Sequence, residues 1–185
     1  LYREKAKDVI LHELVTGVWS GDSANGLSSQ DFQNMELAAD IYQVVIYEKF
    51  GLLPSDKSYH FADLLNITNN GNHSFESFQE DSRNVILLKG SFALRRFEEF
   101  LSHYEKAEIE EGSPMDSLFL AYGHPVRSLD EIYLSYEEAS ALIRRRFFCS
   151  QGQHTLGYHE LPAMTSHRLL ISDDKLNEYC SALTN

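Results

Sequence analysis

Long apolar runs are missing: nowhere does the 185-residue chain approach the roughly 18 to 20 consecutive apolar side chains that a membrane-spanning helix needs. The N-terminus LYREKAKD leads into an amphipathic pattern instead of the apolar core of a signal peptide. These absences lead us to expect a soluble, cytoplasmic chain without membrane insertion. A removed leader stays open, because the sequence starts at Leu1. Cysteine is scarce as well. Cys149 and Cys180 stand outside any C-x-x-C pair, and free thiols are expected in preference to one disulfide. The phosphate-cradling G-x-x-x-x-G-K-[ST], the dinucleotide G-x-G-x-x-G and the G-x-S-x-G elbow are absent. So is the D-x-[DN]-x-[DN]-G order of a calcium loop.

What is present is an acidic, aromatic-rich chain. Hydrophobic residues make up 43 %, with ten Tyr and eleven Phe, enough for a packed interior. The length fits one core, so residues 1–185 are expected to form a single domain. Nothing in the sequence bears on oligomeric state.

Apolar residues recur at three- and four-residue spacing along much of the chain, and Ser, Asp and Gly punctuate them. The first such face runs from Tyr2 to Val18. A second runs from Ser28, in a capping box with Asp31, to Gly51. Further helices are expected over Ser58–Asn66, Glu76–Lys89, Ser91–Glu111, Ser113–Gly123 and Ser128–Phe147, with a C-terminal one from Ser172. Loops are expected near 19–29, 67–74, 123–128 and 150–171, with room for a short strand at 168–171. No sustained period-two alternation stands out. The expected fold is therefore mostly α, a bundle of about seven or eight helices.

The net charge of −12 is concentrated. Glu98 to Glu138 holds eleven acids against two bases, Lys106 and Arg127. So few bases leave the acids without the i, i+4 partners that normally relieve repulsion on a helix face. That pattern points to a protein-binding module for a basic partner, of the inhibitor, immunity or adaptor kind. Its expected face is Glu98, Glu105, Glu108, Glu111, Asp130, Glu131, Glu137 and Glu138, with Tyr104, Tyr122 or Tyr133 as aromatic anchors. The same charge argues against direct nucleic-acid binding, which needs clustered Lys and Arg. Arg144, Arg145 and Arg146 form the one basic cluster. They point in three directions on a helix, so at least one is expected to pair with the acidic block.

Two enzymatic alternatives rest on particular residues. Arg96 and His103, with six residues between them, have a spacing similar to the loose pattern of metal-independent ribonucleases of the HEPN type. The resemblance implies an arginine stabilising phosphate charge and a histidine moving a proton. Phe97 stands where that family usually carries a polar residue, and Glu98 and Glu99 would repel an RNA backbone. The other alternative is a metal-dependent hydrolase. Cys149, His154, His159 and His167 are ligand types that suit zinc, although their spacing lacks the close pairs of a zinc finger. No cofactor is expected beyond that alternative.

Overall fold

The computed structural model describes residues 2–18, 29–49, 74–106, 118–149 and 153–161. They form α1 (Tyr2–Thr16), α2 (Ser29–Asn34), β1 (Tyr42–Lys49), β2 (Phe75–Glu80), β3 (Arg83–Lys89), α3 (Ser91–Lys106), β4 (Leu118–Tyr122), α4 (Ile132–Ile143) and β5 (Thr155–Gly157). Short 3-10 turns cover Leu129–Glu131, Arg146–Phe148 and Tyr158–Glu160. The strands make one mixed sheet in the order β2-β3-β1-β4-β5. All neighbours are antiparallel except β4 and β5, which are parallel.

The expected all-helical bundle is therefore wrong, and the cause is physical. Val44 and Ile46 on β1, Val85 and Leu87 on β3, and Phe119 and Ala121 on β4 join one apolar cluster with α1 and α4. Val45 and Tyr47, Ile86 and Leu88, and Leu118, Leu120 and Tyr122 join another with α3. A sheet covered on both faces has strands that read as continuous apolar runs without alternation. Such runs satisfy helical spacing by default.

Three of the expected helices are corrected in this way. Ser28–Gly51 is α2 followed by β1; Glu76–Lys89 is the β2–β3 hairpin; and the end of Ser113–Gly123 is β4. The expected loop at 150–171 contains β5. The expected helices at 58–66 and from 172, and the expected strand at 168–171, lie outside the described residues.

Two local devices make the changes of direction. Helix α2 ends in a Schellman motif: Leu37 N–H donates to Phe32 O and Glu36 N–H to Gln33 O, both at 2.9 Å. Glu36 takes the left-handed conformation, φ 61°, where glycine is usual, so the stop carries no glycine signal. Phe32 and Leu37 then pack in the same cluster. In the hairpin, Asp81 and Ser82 both have positive φ, 50° and 62°, between paired Glu80 and Arg83. That is the two-residue turn whose twist matches antiparallel strands.

Tyr42, 1 % exposed, fastens the entry to β1. Its hydroxyl donates to Leu37 O at 2.8 Å and accepts from Ala39 N–H at 2.7 Å. Burial pushes the phenol above its ordinary value; the Ala39 bond opposes that shift and Asp40 adds to it. The folded state thus holds this proton more tightly than the unfolded chain. The linked stability is complete below the unfolded value of about 10 and is lost as pH rises through the folded one. Lys89, shifted downward, contributes in the opposite sense, so the informative quantity is a difference. Urea unfolding between about pH 9 and pH 11 is expected to show wild type losing its advantage over Tyr42→Phe. A constant difference would contradict the assignment.

Candidate functional site

Strands β4 and β5 are the one parallel pair among the described residues. In sheets with parallel strands, sites tend to form beyond the carboxyl ends. Here those ends lead directly into Gly123-His124 and Tyr158-His159.

A bulge aims His124. Val45 pairs with Tyr122, and Tyr42 bridges Val126, so β4 carries one more residue than β1 across this interval. The displaced backbone groups are taken up locally. Val44 N–H donates to Ser135 Oγ at 3.0 Å, and Gln43 Nε2 donates to Gly123 O at 2.9 Å. Gly123 has no room for a side chain, since a Cβ would collide with the Ser135 carbonyl oxygen.

His124 donates from Nδ1 to Glu138 Oε1 on α4; a carboxylate accepts, so Nδ1 carries the proton and the ring orientation is fixed. Glu138 is 13 % exposed and His124 is 40 % exposed. Tyr158 lies beside them, its ring 6.3 Å from that of His124, 6.1 Å from Tyr122 and 3.9 Å from His159. Phe97 of α3 meets Tyr122 edge-on at 5.2 Å. Burial pushes the Tyr158 phenol up, and the charges of Glu98 and Glu138 push it further. Carboxylates from the two helical layers therefore act on one phenol at the rim of the sheet.

The sequence-derived acidic face is divided. Glu98 lies exposed on α3, on one side of the sheet. Asp130 and Glu131 in the turn before α4, with Glu137 and Glu138 on α4, belong to the other side. Among the described acids of this set, the charges of Glu98 and Glu138 both bear on Tyr158. Glu108 and Glu111 lie outside the described residues, and of Glu105 only the backbone is described. Of the three aromatic anchors, Tyr104 and Tyr122 are buried and Tyr133 is half-buried. Arg146 pairs with Glu48 of β1, outside the acidic block, and covers the Phe147 ring at 4.9 Å.

The enzymatic candidates are placed as follows. Arg96 and His103 share a face of α3, where Arg96 pairs with Glu99 at 3.3 Å and His103 Nδ1 donates to Glu99 O at 2.8 Å. Among the described residues, which include Cys149, His154 and His159, no group of three or more His, Cys, Asp or Glu is placed to hold a metal ion. His154 donates from Nδ1 to Leu118 O at 3.1 Å, and His159 lies against Tyr158. The Cys149 thiol is in no disulfide; it donates to Arg145 O at 3.5 Å, and burial and then Glu160 push it up. His167 and Cys180 lie outside the described residues.

His124 and Tyr158 were missed by sequence reading. Their signal is a glycine just before each, at 123 and 157, which becomes meaningful only once the preceding strands are known. No described helix is long and apolar enough to cross a membrane. No family model, curated protein or solved structure matches the chain at a significant level.

Proposed function

We propose that this chain is a binding module that recognises a basic segment of a partner protein at the rim formed by Glu98, His124, Glu138 and Tyr158. The observation that carries the reading is geometric: Glu138 of α4 holds His124, whose ring lies 6.3 Å from that of Tyr158, itself 3.9 Å from the His159 ring. The charges of Glu98 and Glu138 both raise the Tyr158 phenol, which supports it. Carboxylates beside aromatic faces suit a guanidinium or ammonium group, which gains charge-assisted hydrogen bonds and a cation–π contact together. The net charge of −12 adds long-range attraction.

The test is fluorescence anisotropy with a labelled hexa-arginine peptide. Binding is expected, weakening steeply as salt rises. Glu98→Lys, an exposed change that leaves the core intact, is expected to weaken it at least about fivefold, as reversing one rim charge should. Asp130→Lys, on the other side of the sheet, is expected to have little effect. Equal losses in both variants would mean diffuse attraction to an acidic protein and would overturn the rim.

A further inference from the structure

Away from that rim, the tip of the β2–β3 hairpin and the second half of α4 border an open depression of about 280 Å³. It is lined by Asp81, Arg83, Tyr136, Glu137, Ser140 and Arg144. The size is at the lower end of small-molecule sites, which run from about 300 to 1,000 Å³.

Three observations distinguish it from a surface crease. Ser140 is 4 % exposed, yet its buried Oγ has no hydrogen-bond partner. Buried polar groups are almost always satisfied, so an orphan in a cavity wall marks where something else supplies the bond. The Tyr136 hydroxyl is close enough to feel Ser140 but is not in hydrogen-bonding geometry with it. Burial pushes that phenol up; Ser140 opposes the shift, as does Arg83, while Glu80 and Asp81 add to it. Finally, charges of both signs line one small space, and among the described residues Arg83, Arg144 and Asp81 take part in no ion pair.

We propose that this depression binds a small zwitterion of the α-amino acid class, with its carboxylate on Arg83 and Arg144 and its ammonium toward Asp81 and Glu137. The Ser140 and Tyr136 hydroxyls hydrogen-bond the bound molecule. Two cationic and two anionic side chains give the lining no net charge, so a phosphate would meet two carboxylates as well as two arginines. A ligand carrying both signs meets charge of each sign with its opposite. The planar arginine fork matches a carboxylate in particular. The inference does not depend on the basic-partner reading, which uses residues on the β4–β5 side.

Isothermal titration of the full chain with L-serine, L-glutamine and L-leucine tests it. The controls are the matching amino-acid amides, the N-acetyl amino acids and inorganic phosphate. At least one free amino acid is expected to bind, with its amide and N-acetyl forms at least about tenfold weaker, the factor for losing one charge-assisted contact. Arg144→Gln, at an exposed position, and Ser140→Ala, which removes a hydroxyl without a partner, are each expected to weaken binding by about the same factor while circular dichroism stays unchanged. Phosphate or an N-acetyl amino acid binding as tightly as the free form would overturn the zwitterion assignment. Absence of binding by all three amino acids, or binding unaffected by both substitutions, would overturn the site.

Discussion

Glu76→Gln is expected to lower stability by about 3 kcal/mol, at the low end of the range for breaking a buried ion pair. A single oxygen, Glu76 Oε1, receives Lys7 Nζ at 2.6 Å and Lys89 Nζ at 2.8 Å. The Lys89 side chain is 2 % exposed and that of Glu76 is 15 % exposed. Lys89 also donates to Glu36 O at 2.5 Å, which ties β3 to the end of α2. Burial already pushes the Lys89 ammonium below its ordinary value. Glu76 restores part of this, Lys7 lowers it further and Glu36 raises it. Removing the carboxylate charge leaves two ammonium groups facing each other across a neutral amide.

The loss is expected to be asymmetric. Lys89→Met removes the buried charge itself and leaves Glu76 with Lys7, so it should cost less, about 1 to 2 kcal/mol. In the double variant the neutral amide at position 76 no longer faces a buried ammonium, so the combined loss should fall well short of the two single losses added together. The pH dependence has a defined sign as well. A lysine whose folded value is depressed gives up its proton in the native state first, so the Glu76→Gln deficit should shrink as pH rises toward about 10.4. Urea denaturation of the three variants checks this; equal losses in the two single variants would contradict the asymmetry.

Gly123→Ala is expected to be nearly as damaging, costing about 3 kcal/mol and lowering Tm by about 10 °C. The added Cβ would run into the Ser135 carbonyl oxygen, and would meet the Ser135 Oγ at 2.6 Å and its carbonyl carbon at 2.7 Å. Two of those atoms are backbone and cannot rotate away, so α4 must move from β1. That movement breaks the Val44–Ser135 bond. It also separates His124 from Glu138, so binding at the rim should fall with stability. Gly90 is the contrasting case. Its φ is 88° but nothing lies within 4 Å of a Cβ there. Gly90→Ala should therefore cost about 1 kcal/mol, from conformation alone. Thermal melting distinguishes the two, and similar losses at both positions would remove the steric explanation.

Helices with one wet face were readable from the sequence. Ala93, Phe97, Phe100, Leu101 and Tyr104 mark the inner face of α3, and all are buried or half-buried. The helical run Ser128–Phe147 contains α4 between two 3-10 turns. The strands were hidden because they are covered on both sides: Tyr42 to Tyr47 are six consecutive buried residues. The β2–β3 hairpin turns on Asp81-Ser82 rather than Asn-Gly, which weakens the usual signal.

The rim was legible only in fragments. Glu138 belonged to an acidic face, His159 to a metal set and Tyr122 to a group of anchors, while His124 and Tyr158 belonged to none. Strand pairing between β4 and β5 brings them together, and one-dimensional spacing does not encode that pairing.

The most direct measurement is a nitrogen-15 NMR titration of the full chain with the hexa-arginine peptide, read residue by residue. If the rim is the recognition site, the largest shifts should fall on the amides of Glu98, His124, Glu138, Tyr158 and His159. Shifts spread evenly over acidic positions on both sides of the sheet, or centred on the hairpin tip near Asp81, would contradict it.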